Sequence, residues 1–291
     1  MKIQRICLTA VLMTLIGLAA GCGAQRDVPS PTEIPDAGET VVPVREGFSA
    51  CLLNTGKSDC AILYMDGLVI LSDTADTDDY KNIASRLKAD GISRIDYIIL
   101  SHYDKDNIGS AAQLIRNFEV GTVLRPAHAE ESAEYYALLK AEEAMDTDVV
   151  LLKEDYCIRT ENGFITVDPP DEDYGDDNNN SALTVVSYHG HNLLFLGDAR
   201  KKRMEEFLFS APETCDFIKL PHHGDGNKAL YSLLRSCTPK WAAATVSETE
   251  VLEPELEELL TKLGVGLYRT DDGPVFIQWD TGALTLKQNG T

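Results

Sequence analysis

A chain of 291 residues with 44% hydrophobic content has enough apolar material for one large domain or two small ones. With 47 acidic residues against 26 basic ones, its net charge of -21 favours solubility and attracts cations. The same charge opposes capture of polyanions, so an extended nucleic-acid groove is not expected, although bound metal ions can reverse the charge within a small site.

Lys2 and Arg5 precede a nearly continuous apolar run from Ile6 to Ala20, the pattern of an export signal rather than of a fold element. The run ends in Ala19-Ala20-Gly21-Cys22, which resembles a bacterial lipobox, with Leu18 one place earlier than that pattern's leucine. Residues 1–21 are therefore expected to be a lipoprotein signal peptide, with Cys22 as the acyl acceptor that ties the chain to the membrane. Residues 22–46, rich in Pro, Asp and Glu, are expected to be a flexible tether, and residues 47–291 the domain. Five cysteines follow Cys22, an odd number that leaves at least one free, and without any C-x-x-C spacing they read as packing residues with at most one disulfide.

Within the domain, β-like runs are expected at Phe48–Leu53, Cys60–Met65 and Leu68–Ser72, followed by a helix over Asp79–Lys88. Tyr97–Leu100 reads as a buried strand, Ile108–Phe118 as a helix, Thr122–Leu124 as a strand and Glu130–Ala144 as a helix. Asp168–Asn180, DPPDEDYGDDNNN, reads as a solvated loop without apolar periodicity. Strands are then expected at Ala182–Tyr188, Asn192–Leu196, Phe217–Leu220 and Trp241–Val246, with helices over Lys228–Arg235 and Glu253–Leu263. Pro274–Trp279 and Ala283–Leu286 close the chain as a hairpin, and two β-rich halves carrying helices suggest a layered sandwich.

Three strand ends carry the chemistry. YIILSHYDKDNIGSAA delivers His102, Asp104, Asp106 and Asn107 into one turn, LLFLGDAR ends in Gly197-Asp198, and FIKLPHHGDG ends in His222-His223-Gly224. Carboxylates spaced by two residues repel unless a cation or solvent separates them, and glycines beside the ligands let the backbone approach a metal. Alone, the first segment would equally suit a solvated turn with Asp106 or Asn107 capping a helix. His189 and His191 flank a hairpin turn and are expected in solvent, and His128, after Pro126, is likewise read as having no role in the chemistry, with a place at the cleft border as the lesser alternative.

These segments resemble the metallo-β-lactamase superfamily, most closely the domain of ComEC-type competence DNA-uptake channels and exported single-domain relatives. SHYDKDNIGS resembles S-H-x-D-x-D-H-x-G-G, LNTGKSDCAI the opening D-V-G-Q-G-D-A, ILSDTA an I-L-I-D-T-G strand end, NNSALTVV an N-x-S-L-V-L strand, and LYRTDDG a closing R-T-D-x-D-G. The resemblance implies an αββα four-layer sandwich over about residues 47–288, with Asp59 and Asp73 facing the site. It also implies one or two divalent ions, zinc foremost and Mn²⁺ or Mg²⁺ as alternatives. His102 and Asp104 would hold one, Asp106 and His222 a second, and Asp198 would bridge them, with His223 as the alternative ligand. Asp104 stands where β-lactamases have His, which points away from penicillin-type substrates, and the resemblance implies metal-dependent hydrolysis of phosphodiesters, with nucleic acid or nucleotides among the candidates and Asp106 and Asp198 as catalytic residues. Asn107 replaces the pattern's last His, a weaker zinc ligand than imidazole, which leaves the second position underliganded. The rival readings are a tethered binding module that has lost catalysis and a transporter's solute receptor; the latter would not require three ligand-bearing strand ends.

Overall fold

The computed structural model describes residues 47–247, 252–280 and 282–288. The expected signal peptide, the Cys22 anchor and the tether lie outside the described residues. The first half runs through β1 (Phe48–Leu52), β2 (Ala61–Met65), β3 (Leu68–Ser72), α1 (Tyr80–Ala89), β4 (Arg94–Ile99), α2 (Lys105–Ile108), α3 (Ala111–Asn117), β5 (Glu119–Pro126), α4 (Ala133–Met145) and β6 (Asp148–Leu152). The second contains β7 (Tyr156–Arg159), β8 (Gly163–Asp168), β9 (Leu183–Tyr188), β10 (His191–Phe195), α5 (Lys201–Phe207), β11 (Phe217–Lys219), α6 (Lys228–Cys237) and β12 (Trp241–Ala244). The chain ends with α7 (Pro254–Leu263), β13 (Gly266–Arg269), β14 (Val275–Asp280) and β15 (Ala283–Gln288).

Two mixed sheets result, ordered β15-β14-β1-β2-β3-β4-β5-β6 and β13-β12-β11-β10-β9-β8-β7. Strand alternation decides which side chains meet. Phe48, Ala50 and Leu52 of β1 join Leu193 and Phe195 of β10 in a core shared by the two sheets. Cys51 and Ile62 instead pack with Ile83 and Leu87 of α1, Leu114 of α3 and Leu138 of α4. On the far side, Leu194 and Ile218 pack with Met204 and Phe207 of α5, Leu230 and Leu234 of α6, and Leu256 and Leu260 of α7. The layers are therefore helix, sheet, sheet, helix, the αββα sandwich that the sequence led us to expect.

Local chemistry fixes the helix ends. Ser132 accepts from the Tyr135 amide at the start of α4, and the Asn227 side chain accepts from the Ala229 and Leu230 amides of α6. The expected helix Ile108–Phe118 is instead two short helices, α2 and α3, beginning earlier at Lys105. Its ladder is interrupted because the Ser110 amide donates to the Ala75 carbonyl and the Asp106 carbonyl accepts from Asp59. Those bonds draw the first strand end against the loops before β2 and after β3.

The acidic loop 168–180 also departs from the solvated reading at its end, where Asn178, Asn179 and Asn180 are buried. Asn179 Oδ1 accepts from the Lys202 and Arg203 amides in the first turn of α5. The fully buried Arg203 donates to the Asp168 carbonyl at 2.6 Å and the Ser181 carbonyl at 2.9 Å, and pairs with the Asp168 carboxylate at 3.1 Å. Buried charge is tolerated only with such partners, and these clamp the loop at both ends. Cys215, two residues before β11, and Cys237, at the end of α6, bring their sulfurs to 3.0 Å. No helix among the described residues is long and apolar enough to cross a membrane.

Candidate metal centre

Strands β3, β4, β5 and β6 run parallel, as do β10, β11, β12 and β13. The carboxyl ends of β3, β4, β10 and β11 release Asp73, the His102 turn, Asp198 and the His222-His223 turn into one crevice. Backbone bonds tie these loops together: Thr74 donates to Asn107, Ala182 to Ser101, and His222 to Gly197. At Gly197 (φ 49°) a β-carbon would lie 2.7 Å from Ser101 Cβ, so only glycine allows this approach.

One group of acceptors gathers around His102, which is wholly buried. Its Nε2 lies 3.5 Å from Asp104 Oδ2 and 3.8 Å from Asp198 Oδ2. Its Nδ1 lies 2.9 Å from Ser101 Oγ, which in turn donates to Asp73 Oδ2 at 2.8 Å. Ser101 Oγ donates its hydrogen to Asp73, so it accepts from Nδ1–H, and this orients the ring with Nε2 towards Asp104 and Asp198. Asn178 completes the group: with its carboxamide oriented to satisfy all its neighbours, its nitrogen lies 3.0 Å from His102 Nε2 and 3.1 Å from Asp104 Oδ2, and its oxygen accepts from Arg200. Asp177 stands behind, accepting from the Tyr103 amide and lying 2.7 Å from His128 Nε2.

A second group adjoins it. His223 Nε2 lies 3.3 Å from Asp198 Oδ2 and 3.8 Å from Asp106 Oδ2. Buried Asp59 accepts from Thr245 Oγ1 and from Lys219 Nζ, which also donates to the Gly197 carbonyl at 3.1 Å and lies 3.8 Å from Asp198 Oδ1. Asp198 thus faces both groups. Burial opposes its charge, but the His223 hydrogen bond and the Lys219 and His102 charges outweigh that and hold its carboxyl well below the usual range. Burial likewise opposes a charged His102, yet the Asp104 hydrogen bond and the Asp198 charge raise it to about 9. Asp73, at about 6, is raised first by burial and then by repulsion from Asp59.

The structure therefore brings together His102, Asp104, Asp198, Asp106 and His223. His222 takes other partners: its Nδ1 lies 3.1 Å from Asp225 Oδ2 and its Nε2 3.1 Å from Arg200 Nη2. The position that the resemblance gave to His222 beside Asp198 is occupied by His223, through a turn in which both residues have positive φ, 45° and 56°. Asn107 is buried, donates to Asp73 at 3.2 Å, and leaves its Oδ1 without a hydrogen-bond partner. His128 borders the site through Asp177, whereas His191, expected in solvent, is half-buried with Nδ1 2.8 Å from Asp216. Sequence reasoning missed Lys219 and Asn178 as site members. A lysine inside the apolar run of a β-strand was the available signal for the first.

Residues 53–240 match the metallo-beta-lactamase superfamily. The chain belongs to that superfamily. It is 24% identical over 197 residues to ComE operon protein 3 of Bacillus subtilis (strain 168), covering 64% of this chain and 24% of that protein. Over 250 residues it is 24% identical to Competence protein ComA of Neisseria gonorrhoeae, covering 83% of this chain and 32% of the relative. The chain thus spans about a quarter to a third of the length of these relatives. In fold it resembles the metallo-beta-lactamase fold protein YhfI from Bacillus subtilis, with a TM-score of 0.55 at 10% identity over 82% of this chain and 100% of that one.

Members of the metallo-beta-lactamase superfamily bind divalent metals, and the residues here fit such an ion. His102, Asp104 and Asp177 can each offer a ligand atom within 4.8 Å of the others, and so can Asp59, Asp198 and His223. Asp198 Oδ1 is buried without a hydrogen-bond partner, an atom that a cation would satisfy. Imidazole and carboxylate donors suit zinc and also oxygen-favouring ions.

Proposed function

We propose that this protein is a metal-dependent hydrolase of phosphodiester-type substrates, held at the outer face of the membrane by a lipid on Cys22. The observation that carries the hydrolase reading is Asp198, buried at a strand end between two ligand groups, facing a His102 whose ring is oriented by Ser101 and Asp73. His102, Asp104 and Asp198 would hold the ion, with His223 on the far side of Asp198. A divalent ion bound there supplies a water of lowered pKa and neutralises charge on a phosphoryl group. Asp106 is half-buried at the rim, 3.3 Å from Lys57 Nζ, where it can orient the attacking water. Phosphodiesters are favoured by the resemblance to competence proteins and by Asp104, which stands where β-lactamases carry His.

The test is hydrolysis of bis(p-nitrophenyl) phosphate by the soluble domain reconstituted with Zn²⁺, Mn²⁺ or Mg²⁺. Turnover that is lost in Asp198→Ala supports the proposal. A protein that holds metal but turns over no better than this variant is instead the binding module, a reading favoured by Asn107 in place of an imidazole ligand. For the anchor, Cys22→Ala should abolish labelling by a lipid precursor; unchanged labelling would sink it.

A further inference from the structure

Lys219 is 4% exposed and belongs to β11, which lies between two parallel neighbours. An ammonium in such a place is costly unless carboxylates surround it. Here Nζ contacts Asp59 Oδ2, donates to the Gly197 carbonyl at 3.1 Å and lies 3.8 Å from Asp198 Oδ1. These carboxylates belong to the group, Asp59, Asp198 and His223, that could have held a second ion.

From this geometry we infer that Lys219 is a built-in cation that takes the second metal position, so that the chain binds a single divalent ion at the His102–Asp104–Asp198 end. The inference rests on the metal-site reading above and adds to it the stoichiometry and the residue that sets it. Two further features agree. Both oxygens of Asp59 are already engaged, one by Lys219 and one by Thr245 Oγ1, so an ion there would have to share this carboxylate with the ammonium. Asn107, which stands where a ligand imidazole is expected, is turned to Asp73 through its nitrogen and offers only a neutral oxygen. A divalent ion among these groups would also sit beside the ammonium, and like charges at such separations repel strongly in a dry interior. At the other end, His102 Nε2, Asp104 Oδ2 and Asp198 Oδ2 converge with no lysine among them. Lys219 would act by position, engaging Asp59 and offsetting the charge of Asp198 from 3.8 Å without a hydrogen bond, so that Asp198 stays available to the ion.

The experiment is equilibrium dialysis of the full domain against Zn²⁺ and Mn²⁺ with metal counted by plasma mass spectrometry. Wild type should hold about one equivalent. Lys219→Met should rise towards two, Asn107→His alone should stay near one because the ammonium remains, and the double variant should reach two. Electron paramagnetic resonance of Mn²⁺-loaded wild type keeps the test independent of how the variants fold: an isolated six-line spectrum is expected. Two equivalents in wild type, or an exchange-coupled spectrum, would overturn the role of Lys219 and leave the metal site standing. No bound metal in wild type would overturn both.

Discussion

Replacing Gly197 with alanine adds a methyl group at a backbone position with φ 49°, 2.7 Å from Ser101 Cβ and 2.8 Å from Ser101 Oγ. The left-handed conformation costs a residue with a β-carbon about 1–2 kcal/mol. Crowding a packed interior costs about 1–3 kcal/mol more, because Ser101 must shift while bonded to Asp73 and His102. Gly175 provides the control, since it has a φ of 68° and nothing within 4 Å of an added β-carbon. Urea denaturation of the metal-free domain should therefore show a loss of about 2–5 kcal/mol for Gly197→Ala and only the conformational part, about 1–2 kcal/mol, for Gly175→Ala. Displacing Ser101 also disturbs His102, so the first variant alone should bind zinc more weakly. Equal destabilisation by the two substitutions, with zinc affinity unchanged, would refute the close packing of the Asp198 loop on the His102 loop.

Ser101→Ala removes the hydroxyl between Asp73 and His102, and a chelator-competition titration should show zinc affinity reduced about 10–100-fold; an unchanged constant would show that the hydroxyl does not orient the ring. Arg203→Met leaves the Asp168 and Ser181 carbonyls and the Asp168 and Glu206 carboxylates without their cation, so denaturant melts should show a loss of about 3–5 kcal/mol, and a change within about 0.5 kcal/mol would contradict the clamp. His102, ordinarily at 6.5, is raised to about 9 in the metal-free protein, so its ion pairing stabilises the fold fully below 6.5 and is lost as pH rises through 9. Metal must displace that proton, so zinc affinity should increase from pH 7 to 9 and zinc binding should release a proton, both effects being lost in His102→Gln. A pH-independent zinc constant in wild type would count against a protonated His102.

The ligand-bearing strand ends were legible because each joins an apolar run to a short polar turn, and strand alternation then divides residues such as Leu193 and Leu194 between two cores. Several elements carried too weak a pattern. Strand β7 has four residues at a sheet edge, and α5, KKRMEEF, reads as solvated charge although it buries Arg203, Met204 and Phe207. The choice between His222 and His223 was not legible either. It depends on two successive left-handed residues that redirect adjacent side chains, and nothing in the pair His-His records which one faces Asp198. Lys219 and Asn178 reach the site only through tertiary contacts, Lys219 meeting Asp59 across 160 residues. Asn178 is carried there by the clamped acidic loop, whose anchors, Asn179 and Arg203, lie 24 positions apart.

The central claim is that Asp198 and its neighbours form a metal site, and the most direct test is metal content after purification without chelators and saturation with Zn²⁺. Wild type and His128→Ala, whose imidazole touches the site only through Asp177, should retain bound zinc, and Asp198→Ala should lose it. Undiminished zinc in Asp198→Ala would contradict the account.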